Sequence, residues 1–243
     1  MRSRKIALFA LLAAALCAGS TGLQAQGNPG PKYQQGIHYT LIENAPVTTG
    51  GKVTVVEAFS YMCTHCATFE PYITSWKQRL PAAVDFKRVP VVFGRGSWEL
   101  YARAYVTAEL MGIAEKAHAA LMDKLWKENQ VMKTMDELAQ FYSAHGVEAG
   151  NFVATSNSFA VDAKMRRDQQ IVQTAGVRGT PSLIVGGKYL VAGSEAVANY
   201  DVMLDVVNFL IEVDLAAQGA AVPASASENS AAAEPAAATV AED

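Results

Sequence analysis

Two cysteines set two residues apart, Cys63-Thr64-His65-Cys66, hold the most reactive chemistry in this chain. They stand where a β-rich apolar run, Lys52 to Tyr61, gives way to a helical pattern marked by Phe69, Ile73, Trp76 and Leu80. A strand that delivers a cysteine to the first turn of a helix sets its sulfur beside amide N–H groups that lack an intrahelical partner. Those amides and the macrodipole favour an anion. The thiolate is the reactive form of cysteine, and a CxxC at a helix start lowers the pKa from about 8.5 into the range of about 3.5–7.5. A protonated His65 one turn away adds to the effect. The spacing leaves Cys63 exposed at the helix tip as the attacking sulfur and Cys66 one turn further in as the resolving one. The chemistry is thiol–disulfide exchange.

The elements that must position this pair are legible on both sides of it. Lys52 to Tyr61 is nearly continuous in apolar residues, as a strand buried on both faces should be. A helix is expected from Cys63 to about Leu80, stopped by Pro81, and a second strand from Val84 to Val92 completes a strand–helix–strand unit with a parallel crossover. Ahead of them, His38 to Ile42 is β-prone and could add an edge strand. From Ser97 to Ala175 apolar residues recur at helical spacing, with Gly112, Gly146 and Gly176 as stops and Thr134 to Glu137 as a capping box. His118 and His145 within it read as solvated helix residues. Val177 to Val191 then contains two β-rich runs joined by Gly186-Gly187, a tight hairpin, with Arg178 and Lys188 as solvated turn residues. A last helix is expected over roughly Glu195 to Ala216.

Composition narrows the function classes. Met1 to Lys5 is basic, Ile6 to Ala18 apolar, and Ala25 a plausible cut, so residues 1–25 read as a secretory signal peptide. The apolar run is too short for a permanent membrane anchor, and Leu16 stands where lipid attachment at Cys17 would need a small residue. Cys17 leaves with the leader, so the mature chain keeps only the CxxC pair, too few cysteines for a disulfide-stapled scaffold. One CxxC supplies two of the four ligands of a structural zinc, and the four histidines lack partner spacing, so no metal and no cofactor are expected. Net charge is −3 with no basic block after the leader, which excludes nucleic acid as a partner. Residues 217–243, rich in Ala, Pro, Ser and Glu, read as a disordered tail.

Taken together, Glu57 to Cys66 followed by Phe69-Glu70-Pro71, the helical stretch, and Arg178-Gly179-Thr180-Pro181 ahead of the Gly186-Gly187-Lys188-Tyr189 hairpin resemble the thioredoxin superfamily, and more closely its DsbA group of exported thiol oxidases. The resemblance implies an α/β, thioredoxin-like fold with an inserted α-helical subdomain: residues 26–96 and 176–216 form the frame, and 97–175 the insertion. It implies that Pro181 is cis and faces the cysteines, with backbone of Thr180 free to pair with an extended substrate strand. From the residues alone, Pro181 would read as a trans proline opening an edge strand.

Glu57, six positions before Cys63, is either a strand-end carboxylate facing water or a buried acid that relays the Cys66 proton. The superfamily often has an acid at this place. Two departures bear on oxidising strength: Thr64 stands where members often carry Pro, and Thr180 where they often carry Val. The function implied is a periplasmic, Gram-negative-type dithiol oxidase that puts disulfides into reduced exported polypeptides and is reoxidised by a DsbB-like membrane quinone reductase. The alternatives are an isomerase or reductant of the same fold, or a non-catalytic peptide-binding chaperone module. The mature chain leaves no stretch for a separate dimerisation domain, so a monomer is expected.

Overall fold

The computed structural model describes residues 31–43 and 51–220; the leader, residues 44–50 and the chain beyond 220 lie outside the described residues. From Tyr33 onward these residues belong to one unit. At its centre lies β2 (Val53–Phe59), whose Val-rich sequence is buried along nearly its whole length. It pairs in parallel with β3 (Val84–Pro90) on one side and antiparallel with β4 (Ser182–Val185) on the other. β4 turns back through Gly186-Gly187, both at positive φ, into β5 (Tyr189–Ala192). The edge strand β1 (Thr40–Leu41) joins β5, giving the order β1-β5-β4-β2-β3.

Between β2 and β3 runs α1 (Thr64–Lys77), which buries Cys66, Phe69, Ile73 and Trp76 against the sheet and continues through Pro71. Five helices lie between β3 and β4: α2 (Gly96–Leu110), α3 (Ala114–Trp126), α4 (Met135–Ser143), α5 (Ala149–Ser156) and α6 (Phe159–Thr174). Gly112, Gly146 and Gly176 sit in the left-handed region after α2, α4 and α6, where a residue without Cβ is cheapest. Thr134 caps α4 by accepting from the Glu137 N–H.

The chain's described part ends in α7 (Tyr200–Ala220). This helix begins later than its apolar pattern suggests, because the Asn199 side chain accepts from the Val202 N–H and fixes the start there. It also runs to Ala220, so residues 217–220, expected to belong to the tail, are helical.

Three apolar clusters arise. One packs α1 and α7 on the sheet face that carries Val53 and Val55. A second, on the face that carries Ala58, includes Val172 of α6 and Val177. The third gathers Phe59 and Tyr61 from the end of β2 with α2 to α6, and it contains both Cys63 and Cys66. The thiols therefore lie where the sheet meets the helical layer. Lys188, expected to be a solvated turn residue, instead pairs with Asp214, a carboxylate buried in α7.

Candidate active site

Cys63 is the residue that starts α1. Its backbone is extended, its N–H is held by the Ser60 carbonyl at 3.1 Å, and the helix begins at Thr64. Cys63 and Cys66 are free thiols; Cys63, expected to stay exposed, is only 9% exposed because it packs into the helical-layer core, and Cys66 is 1% exposed. The Thr180–Pro181 bond is cis, and the Cys63 thiol donates to the Thr180 carbonyl at 3.3 Å. This contact brings residues 117 positions apart into one site.

The two sulfurs are driven in opposite directions. The hydrogen bond from the Cys66 thiol is the largest influence on Cys63; with the Thr180 side chain and the backbone N–H groups of Cys66 and His65 it outweighs burial, and the Cys63 pKa falls to about 5. As a thiol Cys63 makes no side-chain cap on the helix. As a thiolate it also becomes an acceptor for first-turn amides, which adds to the support that the Cys66 thiol gives the charged form. Burial, followed by the neighbouring Cys63, pushes the Cys66 thiol far up. His65 acts on the thiolate through its backbone N–H; its imidazole is exposed and lines the adjoining groove.

Glu57 lies on the same face of β2 as Val53 and Val55, the face that α1 covers. It is 1% exposed, and the strand register sets it opposite Arg88, whose Nε donates to Oε2 at 2.8 Å. Burial raises its pKa to about 7 against the pull of Arg88, and its charge in turn reaches Cys66.

Sequence reasoning missed what lies behind Glu57. The Arg88 guanidinium also donates to Glu70 at 3.3 Å and to Glu115 at 3.1 Å, and Glu115 pairs with Lys77 nearer the surface. His118, expected to be solvated, is 1% exposed and bridges Glu70 at 3.1 Å and the Tyr61 hydroxyl at 2.9 Å. Burial would raise the Glu70 pKa, but its hydrogen bond with His118 and then the Arg88 charge hold it below the usual carboxylate value. An ionised Glu70 can only accept, so His118 Nε2 carries the proton and Nδ1 accepts from Tyr61. Burial and then the Arg88 charge lower the His118 pKa and keep the ring neutral. The signal was available: position 118 falls one turn from Ala114 and Leu121, on the buried face of α3.

A groove of about 1100 Å³ opens beside the thiols. His65, Thr180, Pro181, Leu41, Tyr200 and Met203 are among the residues that line it. Among the described residues no group of three His, Cys, Asp or Glu is placed to hold a metal ion, and no helix is long and apolar enough to cross a membrane.

Comparison with known proteins places this arrangement. The model of the DSBA-like thioredoxin domain matches residues 54–205. The thiol:disulfide interchange protein DsbA of Pseudomonas aeruginosa is 35% identical over 215 residues, covering 88% of this chain and 98% of that protein. DsbA of Azotobacter vinelandii is 34% identical over 216 residues, covering 88% of this chain and 100% of that protein. The crystal structure of the oxidoreductase DsbA from Xylella fastidiosa superposes with a TM-score of 0.71 at 32% identity, covering 76% of this chain and 98% of that one.

Proposed function

This chain belongs to the DsbA-like thioredoxin family, whose chemistry is thiol:disulfide exchange, and on that premise we propose that it is a periplasmic dithiol oxidase that introduces disulfides into exported polypeptides. The observation that carries the oxidising direction is the opposed bias of the two sulfurs. Cys63 is held near pKa 5 while Cys66 is pushed far up. A disulfide carries no thiolate, so whatever stabilises the Cys63 anion favours the reduced enzyme and makes the oxidised enzyme the stronger electron acceptor.

In the reaction, a substrate thiolate attacks Sγ of Cys63 in the Cys63–Cys66 disulfide. The S–S bond breaks, its electron pair leaves on Cys66, and a mixed disulfide forms between substrate and Cys63. The Cys66 sulfur, buried and averse to charge, takes a proton from Glu57, whose pKa burial raises to about 7. A second substrate thiolate then attacks the substrate sulfur of the mixed disulfide. Cys63 leaves as the thiolate, received by the His65 and Cys66 amides.

Thr180 and Pro181 supply the backbone edge against which an extended substrate lies beside Cys63. The leader pattern in residues 1–25 supports export, and a DsbB-like membrane quinone reductase would restore the disulfide by taking the two electrons. Equilibration of the Cys63–Cys66 pair with glutathione is the test. An oxidase gives a potential well above the glutathione couple, whereas a value near that of thioredoxin, about −270 mV, would make the chain a reductant. Cys63→Ser abolishes oxidation of reduced ribonuclease under this reading and leaves function intact if the chain is only a chaperone.

A further inference from the structure

The hydroxyl of Tyr200, the first residue of α7, donates to the carbonyl oxygen of His65 at 3.0 Å, across 135 residues of sequence. That carbonyl belongs to the His65–Cys66 peptide, and the N–H of the same peptide is the Cys66 amide. This is one of the two first-turn amides that face the Cys63 thiolate. A donor on the oxygen of a peptide polarises the whole unit and strengthens the hydrogen bond its N–H gives. The ring is fixed independently of the hydroxyl, packing on Phe69 at 5.0 Å and on Tyr72 at 5.3 Å between ring centres. Asn199, by setting the start of α7, fixes where Tyr200 stands.

We propose that Tyr200 is a positioning residue of the thiol chemistry: through the His65 carbonyl it orients and polarises the His65–Cys66 peptide so that the peptide N–H is held on the Cys63 sulfur. The inference rests on the reading of Cys63 as a thiolate. Burial, and then the charges of Cys66 and Cys63, raise the Tyr200 pKa, so the phenol stays protonated and stands within the field of both sulfurs. Tyr200 also lines the groove together with His65 and Thr180. A substrate seated there touches the residue that conditions the thiolate.

The test is Tyr200→Phe, which keeps the ring and removes only the oxygen. The Cys63 ionisation is followed by thiolate absorbance against pH on the reduced full-length protein. A cooperative gain of about 30% in one charge-assisted hydrogen bond corresponds to a pKa rise of about 0.3–0.7 unit, a two- to fivefold loss of thiolate stabilisation. The reduction potential falls by about 10–20 mV. The denaturant midpoint of the oxidised form, which has no thiolate, should move less than that of the reduced form.

An unchanged Cys63 pKa in folded Tyr200→Phe overturns the proposal, as does an equal loss of stability in both redox states with the pKa unmoved. Should that variant not fold, the unsubstituted protein still decides. The Cys66 amide and the Tyr200 ring resonances must both follow the Cys63 titration, and failure of either to do so overturns the proposal. If Cys63 of the unsubstituted protein itself titrates near 8.5, the thiolate reading has failed and not the role of Tyr200 alone.

Discussion

Protonating Cys63 should remove about 2 kcal/mol of the reduced protein's stability relative to the oxidised one. Folding lowers the pKa of this thiol from its ordinary value of 9.0 to about 5. A group whose pKa is depressed on folding favours the folded state at pH above its folded value, and the contribution is lost as pH falls through that value. At pH 7 the depression counts only over the two units between ambient pH and the folded pKa, which corresponds to about 2.7 kcal/mol.

Cys63 lies at the edge of the core, 9% exposed, so solvent screens part of this and a working figure is about 2 kcal/mol. At pH 4.5 less than about 0.5 kcal/mol remains. The oxidised protein has no thiolate to lose, and the carboxylates contribute to both forms, so the difference between the two redox states isolates Cys63. Guanidinium unfolding of each form at pH 7 and pH 4.5 measures it. The reduced-minus-oxidised stability should fall by about 2 kcal/mol on acidification. A difference that stays constant between these pH values would refute the claim that a thiolate is held at the tip of α1.

The Thr180 side chain is among the influences that lower the Cys63 pKa, so Thr180→Val should raise it by about half a unit to one unit, read by thiolate absorbance against pH. Glu57→Gln keeps the shape of the side chain but cannot give up a proton to Cys66. Single-turnover oxidation of a reduced peptide should slow at least about tenfold at pH 7, within the range of general acid catalysis, with the Cys63 pKa little changed; an unaltered rate would leave Glu57 with charge balance only. Arg88→Met strips the guanidinium from Glu57, Glu70 and Glu115 at once. The expected cost is about 3–5 kcal/mol in the denaturant midpoint, since the buried acids lose their common partner.

The parts of the site that depend on short-range sequence were readable. The end of a Val-rich strand, a cysteine at a helix start and a Gly-Thr-Pro ahead of a Gly-Gly hairpin each leave a local mark. The family resemblance supplied the cis geometry, which the residues alone did not. What stayed hidden depends on register. Arg88 shares a face of β3 with Val84 and Phe86, so alternation already aims it inward, but that Glu57 is its partner is set only by how the two strands pair. His118 lay on the apolar stripe of α3 with Ala117 and Leu121, yet its two partners come from α1 and the end of β2, and no spacing announces them. Tyr200 was hidden for a similar reason, because the start of α7 is decided by a side-chain cap at Asn199 and not by apolar periodicity.

Under the proposed mechanism, the charge count around Arg88 would explain why Glu57, of the three carboxylates, is the one to exchange protons. Three acids surround one guanidinium, and Lys77 is the further cation in contact, through Glu115. The proton goes to the acid whose anion is least well supported. Glu115 reaches solvent and Lys77. Glu70 accepts from Thr74 at 2.8 Å and from His118. Glu57 is fully buried with Arg88 as its hydrogen-bonded partner, and it titrates near 7 as a result.

That value suits both halves of the cycle. When the enzyme disulfide opens, the leaving Cys66 sulfur needs a proton. When the disulfide is restored, Cys66 must give one up before it can close the ring. An acid near 4 would hold no proton to give at neutral pH, and one near 10 would have no vacancy to receive it. In the proposed cycle, a carboxyl that titrates near ambient pH would serve both directions from a place that bulk water does not reach.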